Sequence, residues 1–389
     1  MDTAQWVLEM RRKLHQCPEL GNQEYETTRI IESALGDMGI ETARLLETGV
    51  VGVLAGTKVP SGEYAAYSGG KPRVLAFRAD IDALEIKEAT GLPFASAKEG
   101  FMHACGHDAH SAILLAVARE LSMRRSEFSD IVKFIFQPAE ESTGGAERLI
   151  ALGCMKDPEV DYVFGLHVMP QIPAGSIGIK YGTMYAASDM IRITVHGKSG
   201  HGAFPEKSID AVVAASAIVT NMQSIVSRNV SPANPAVITF GSIHGGTASN
   251  IIADKVEIKG TIRTLEPENR KHVKKRVVEM LDGMAAAMGA TAEIEFVRGY
   301  NAVINDPEAV KMVEDAAVEI AGKDHVVETP NAYMGGEDFS FYLDHAKGAF
   351  FGLGCGYRDR ENPVLHSELF NIDEACLQTG VSILTSLVR

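Results

Sequence analysis

Long uninterrupted apolar runs are missing from this 389-residue sequence. The longest uncharged apolar stretch, Ala211 to Ser227, falls just short of a membrane span and contains Asn221 and Gln223. It reads instead as a helix buried on more than one side. Cysteine is scarce as well. The 5 residues, at 17, 105, 154, 355 and 376, are odd in number and widely spread. That argues against a disulfide framework and points to a reducing cytoplasm. Basic residues are outnumbered, 37 against 51 acidic, for a net charge of -14. An acidic surface argues against nucleic acid and anionic membrane as partners. The opening Met-Asp-Thr-Ala-Gln-Trp lacks the basic-then-apolar pattern of a signal peptide. There is no internal repeat and no low-complexity tract. What remains, 46% hydrophobic and 23% charged, is the balance of a globular chain long enough for two domains.

Along the chain, Asp2 is placed to cap a first helix, with Trp6, Met10 and Leu14 on one face. A second helix is expected from Glu24 to Met38, ending at Gly39. Strands are expected at Val50–Ala55, Val74–Phe77, Ile131–Gln137 and Val160–Val168, with a Gly- and Ser-rich loop from Pro60 to Pro72. An apolar helical pattern starts at Ser111. Short apolar strands alternating with helices imply an α/β fold, a mainly parallel sheet covered on both faces. Near Met184 the pattern changes. Residues 189–197 alternate, and the order onward is β-α-β-β-α-β, the split ferredoxin-like unit. The expected division is therefore a catalytic domain of residues 1–183 and 298–389, with an inserted α+β domain at 184–297.

The densest chemistry is His103-Ala-Cys105-Gly-His107-Asp-Ala-His110. If the chain runs extended there, Cys105 and His107 project to the same side, since a strand repeats every two residues. A thiolate and an imidazole together suit a soft or borderline divalent metal. Asp80, Cys105, His107, Glu140, Glu141 and His167 all fall at the carboxyl ends of expected strands, where open α/β sheets bind ligands. In the Glu140-Glu141 pair one carboxylate can bind metal while the other serves as a general base. A solvated acidic turn is the plainer reading of such a pair, but the strand end and neighbouring cluster outweigh it. His167, in an apolar strand, could be an ordinary core histidine, and His366, after Asn362-Pro363, a surface one. Taken with Cys105, His107 and Glu141 they make five ligands, enough for two metals ~3.5–4 Å apart sharing a bridging group.

The runs His-Ala-Cys-Gly-His-Asp-Ala-His (103–110), Gln-Pro-Ala-Glu-Glu (137–141), Gly-Leu-His-Val (165–168) and Leu-His-Ser (365–367) resemble the aminoacylase/carboxypeptidase amidohydrolases. These form subfamily D of metallopeptidase family M20, which includes hippurate hydrolases, N-acetyl-amino-acid deacetylases and auxin-conjugate amidohydrolases. Arg-Ala-Asp-Ile-Asp-Ala-Leu (78–84), Ser-Gly-His-Gly-Ala-Phe-Pro (199–205) and Gly-Gly-Glu-Asp-Phe-Ser (335–340) extend the resemblance over nearly the whole chain, in order. A departure is Leu84-Glu85, where Leu-Pro is usual.

The resemblance implies two divalent ions, among zinc, manganese, cobalt or nickel, held by Cys105 as the bridge and by His107, Glu141, His167 and His366. It implies Glu140 as the general base that moves a proton from water to the leaving amine. Asp80 would orient a ligand histidine. His201 would reach an active site from the inserted domain, across a homodimer, and stabilise the oxyanion. Asn250, Arg263 and Gly336 would hold the substrate, Arg263 by pairing with a carboxylate. The implied substrates are N-acyl amino acids. Short peptides, cleaved by a dipeptidase or carboxypeptidase, are the runner-up, and a binder without catalysis is the third reading.

Overall fold

The structure, a computed structural model, describes residues 1–58 and 71–389. The loop expected from Pro60 to Pro72 therefore falls, as far as residue 70, outside the described residues. The chain divides into two compact units. The first comprises Met1–Gly182, Ile304–Pro330 and Asp338–Arg389, and the second Thr183–Val303 and Asn331–Glu337. The return to the first unit thus comes a few residues later than the expected 298, and the 331–337 loop travels with the second unit.

In the first unit, helix Thr3–His15 begins where expected, its Asp2 side chain accepting the Gln5 N–H at 2.8 Å. Helix Tyr25–Asp37 follows, then β1 (Glu41–Leu45), β2 (Gly49–Ala55), β3 (Val74–Asp80), β4 (Ile131–Gln137), β5 (Tyr162–Pro173) and β6 (Ile177–Ile179). The second unit contributes β7 (Gly182–Tyr185, which begins at the junction), β8 (Ala187–His196), β9 (Gly200–His201), β10 (Ala236–Gly245), β11 (Ile251–Ile252), β12 (Lys255–Thr264) and β13 (Thr291–Arg298). The chain then closes with β14 (Val303–Asn305), β15 (Val326–Glu328) and β16 (Lys347–Gly356).

The first unit is built on an eight-stranded sheet in the order β1-β2-β4-β3-β5-β16-β6-β15. Its centre is parallel: β3 runs alongside β4 and β5, and β5 alongside β16. The β1–β2 edge is antiparallel. Helix His107–Met123 is apolar almost all round, with Ala112 through Ala118 buried, because it packs against the sheet and against the first and last helices at once. Phe77, Phe134, Phe164 and Phe351 fill the core beneath it.

The second unit has a four-stranded antiparallel sheet, β10-β12-β8-β13, with helices Ala211–Ser224 and Pro267–Ala287 packed on it. Helix Ala211–Ser224 departs from expectation. It buries one face through Ala214, Ala215, Ile218 and Met222, and leaves Val212 and Val213 exposed. The stretch is uncharged, but one sheet face and one neighbouring helix cover only one side of it.

Candidate metal centre

The metal-like cluster does not lie on extended chain. Gly106 turns it, with φ 86°, and His107 is already the first residue of the helix. A Cβ at 106 would stand 2.3 Å from Val168 Cγ2, so only glycine fits both the angle and the space. The turn, rather than strand alternation, brings Cys105 and His107 to one side. A second strained position helps. His366 has φ 61°, and its backbone N–H reaches Ala104 O at 2.8 Å, tying the last ligand loop to the Cys105 loop.

The five expected ligands converge in the first unit. Cys105 Sγ lies 3.3 Å from His167 Nε2 and 3.3 Å from His366 Nε2. Cys105 belongs to two trios of ligand atoms, one with His107 and His167, the other with Glu141 and His366, each trio within 4.8 Å. A third trio joins His107, Glu140 and Glu141.

Hydrogen bonding decides which nitrogen each imidazole offers. His107 Nδ1 donates to Asp82, 2.9 Å from its carbonyl and 3.1 Å from Oδ1. His167 Nδ1 donates to Val168 O at 2.8 Å. In their neutral forms, the forms that bind a metal, both rings therefore turn Nε2 to the cluster. His110 does not: Nδ1 donates to Asp80 Oδ1 at 2.6 Å and Nε2 accepts the Val168 N–H at 3.0 Å. It is consumed by the scaffold. His366 Nε2 lies 3.0 Å from Glu141 Oε1, an atom without an aligned hydrogen-bond partner.

Asp80 grips His110 and Arg78 Nη1, and its Oδ2 is 3.7 Å from His107 Nε2. The carboxylate that orients the candidate ligand His107 is Asp82, two residues further along. Asp82 also accepts the Glu141 N–H at 3.0 Å. The sequence signal for it was the Asp-x-Asp spacing at a strand end, which puts alternate carboxylates on one side.

Charge fits a cation. Burial, then Glu141 and Glu140, push the Cys105 thiol up. Burial opposes charging His107, but Asp80 and Asp82 outweigh it and raise the ring to about 10. For Asp80 burial is likewise overcome, by His107, Arg78 and His110, which hold it well below the usual carboxylate range. Burial, helped by His110, lowers His167 to about 3. A pocket this rich in carboxylate that protonates a thiol and a histidine to balance itself is matched to divalent ions, whose charge reverses those shifts. Of the residues left open beside the cluster, Asp108 is taken by Arg11 at 2.9 Å and His15 at 2.8 Å. His103 is buried with neither ring nitrogen hydrogen-bonded.

The remaining expected residues lie in the second unit, in two groups. His201 sits on β9, paired with Ile251 of β11, and accepts the Ala203 N–H at Nδ1 (3.1 Å). Asn250 is beside it, its carbonyl accepting the Gly202 N–H at 2.8 Å. Both side chains are exposed. Arg263 is half-buried with Gly336 against it: a Cβ at 336 would be 3.0 Å from Arg263 Nη1.

Residues 76–389 match the family model described as peptidase family M20/M25/M40. The chain belongs to that family. It is 38% identical over 374 residues to an N-acetylcysteine deacetylase of Bacillus subtilis, covering 95% of this chain and 93% of that one. A thermostable carboxypeptidase of Saccharolobus solfataricus is 36% identical over 382 residues, with 96% and 92% covered. Among solved structures, a dinuclear metal-binding peptidase of the M20 family from Bacillus subtilis superposes with a TM-score of 0.85 at 34% identity, over 99% of this chain and 97% of that one. As a member of M20/M25/M40, the chain is a metal-dependent amidohydrolase.

Proposed function

We propose that this enzyme removes the acyl group from N-acyl amino acids at a two-metal site. The observation that carries the reading is Cys105, whose thiol belongs to two ligand trios at once, with Glu140 beside them. Cys105, His107 and His167 would hold one ion; Cys105, Glu141 and His366 the other. When bound, the ions supply Lewis acidity, lowering the pKa of water and polarising the acyl carbonyl. Zinc, cobalt and nickel suit the thiolate, and the carboxylate and imidazoles also admit manganese.

Glu140 is the general base. Its carboxylate takes the proton from the attacking water and returns it to the amide nitrogen as the amine departs. Asp82 holds His107 in the tautomer that ligates. His201, with Nδ1 accepting a backbone N–H, keeps Nε2–H as a donor for the oxyanion. Arg263 pairs with the substrate carboxylate. Burial lowers its pKa, and no hydrogen bond or ion pair engages its guanidinium among the described residues. Gly336 leaves room beside that guanidinium, and Asn250 contributes a polar contact near His201.

The catalytic domain is the first unit and the second is a ferredoxin-like insertion, a reading supported by its β-α-β-β-α-β order and its antiparallel sheet. It mediates a homodimer through its exposed uncharged surface, and His201 acts on the partner copy's substrate. No helix among the described residues is long and apolar enough to cross a membrane. All five cysteines are free, which supports a reducing cytoplasm. The carboxypeptidase relative keeps cleavage of short peptides as a second reading.

The test is amine release from a panel of N-acyl amino acids and dipeptides, after loading with Mn²⁺, Zn²⁺, Co²⁺ or Ni²⁺ and after chelation. Metal-dependent release from acyl amino acids is expected. Turnover of dipeptides alone would favour the second reading.

A further inference from the structure

Glu24 is fully buried and stands at the start of helix Tyr25–Asp37, yet its side chain caps none of that helix. It reaches elsewhere. Oε1 accepts the backbone N–H of Ala139 at 2.9 Å, and Oε2 accepts the Thr48 hydroxyl at 2.7 Å. Ala139 is the residue before Glu140. Its φ is 61°, the left-handed region, which costs an alanine on the order of 1 kcal/mol. Such a conformation persists only where its surroundings enforce it. Both backbone groups of Ala139 are engaged, its carbonyl by the Gly144 N–H at 2.9 Å.

On the other side of Glu140, the Glu141 N–H is held by Asp82 Oδ2 at 3.0 Å. The N–H groups of the two residues on either side of Glu140, Ala139 and Glu141, are therefore each held by a buried carboxylate. The far end of the loop is fixed in the same way: Asp338 accepts the N–H groups of Gly145 and Ala146 at 3.0 and 3.1 Å, and pairs with Arg78 at 2.7 Å. Gly145 has no room for a side chain, since a Cβ would lie 1.9 Å from Pro138 O.

We propose that Glu24 is a positioning residue for Glu140, holding Ala139 in its left-handed turn so that the Glu140 carboxylate faces the reacting water. This rests on the reading of Glu140 as general base. Burial raises the Glu24 carboxyl to about 7, so it is kept in place at a cost to stability. Without it the Ala139 N–H is left buried and unpaired, and the turn has reason to relax. Glu140 then shifts, and misplacement of about 1 Å can cost ~10²-fold in rate.

The experiment uses the metal-loaded full chain with an N-acetyl amino acid as substrate. Glu24→Ala is expected to lower kcat by roughly ten- to a hundredfold while KM and bound metal stay at parental values. Glu24→Gln keeps an oxygen for Ala139 and can turn its amide N–H to Thr48, so it should stay within about threefold of the parent. If Glu24→Ala fails to fold, Glu24→Asp takes its place, with a shorter reach and the same expected loss of kcat. In a Glu140→Gln background, Glu24→Ala should cause no further loss, because both act on one proton transfer. Parental kcat in Glu24→Ala, a loss that follows lost metal, equal failure of the Gln variant, or additive losses in the double variant would each overturn the inference. Full activity of Glu140→Gln would instead overturn the base assignment, and this inference with it.

Discussion

His107, His110 and His167 share one chemistry and do different work, and the difference lies in what their ring nitrogens touch. His107 and His167 spend Nδ1 on Asp82 and on a carbonyl, and keep Nε2 for the cluster. His110 spends both nitrogens on the scaffold and drops out. Of the adjacent glutamates, Glu141 lies against His366 and Cys105 among the candidate ligands, and Glu140 is the one proposed to carry the proton. Replacing Glu140 by Gln removes the proton acceptor and leaves the five ligands intact. We expect Glu140→Gln to lose about 10²–10⁴ in kcat with unchanged bound metal, read by turnover and elemental analysis. Unchanged turnover would remove Glu140 from the mechanism.

At the scale of elements, the centre is made mostly of ends: the carboxyl termini of β3 and β4 and the first residue of a helix, with His167 joining them from the middle of β5. At the ends the backbone is fixed on one side and free to turn on the other. Turning has a measurable cost at Glu24, which packs the Tyr25–Asp37 helix onto the Glu140 loop. Its carboxyl, raised from 4.5 to about 7, binds its proton more tightly folded than unfolded. Its contribution to stability is therefore full below about pH 4.5 and is lost as pH rises through about 7. Glu24→Gln escapes that loss. It should be more stable than the parent at pH 8, by up to about 3 kcal/mol at ~1.4 kcal/mol per pH unit, read as a higher melting temperature, and the gap should close by pH 4. A gap that persists at pH 4 would assign the effect to packing rather than ionisation.

At the scale of the molecule, the candidate metal ligands and Glu140 belong to one unit, and His201, Asn250, Arg263 and Gly336 to the other. If His201 serves the partner copy, two dead variants should rescue each other. Mixing His201→Ala with Glu140→Gln, under conditions that exchange subunits, is expected to restore turnover: each mixed dimer holds one site with both residues intact. Absence of rescue, with mixed dimers shown to form, would place His201 in its own chain's site or outside catalysis. A single-copy mass by light scattering would remove the dimer altogether.

The local signals in the sequence were sufficient for much of this. The Asp2 cap, the apolar strands, the alternation in β8 and the β-α-β-β-α-β order follow from periods of 2 and 3.6 and from turn chemistry, which neighbouring residues carry by themselves. The five candidate ligands stand out in the sequence because metal chemistry restricts donor types and all five fall in short motifs. Tertiary structure alone decided the rest. The bend at Gly106 departs from the extended chain expected there, because residue identity does not report the sign of φ. Asp82 rather than Asp80 holds His107 because the choice depends on which carboxylate faces the ring across a turn. The exposed side of helix Ala211–Ser224 depends on how many elements pack on it. Glu24 carries no motif at all: its role comes from meeting Ala139, 115 residues away, and only the packed core brings those two together.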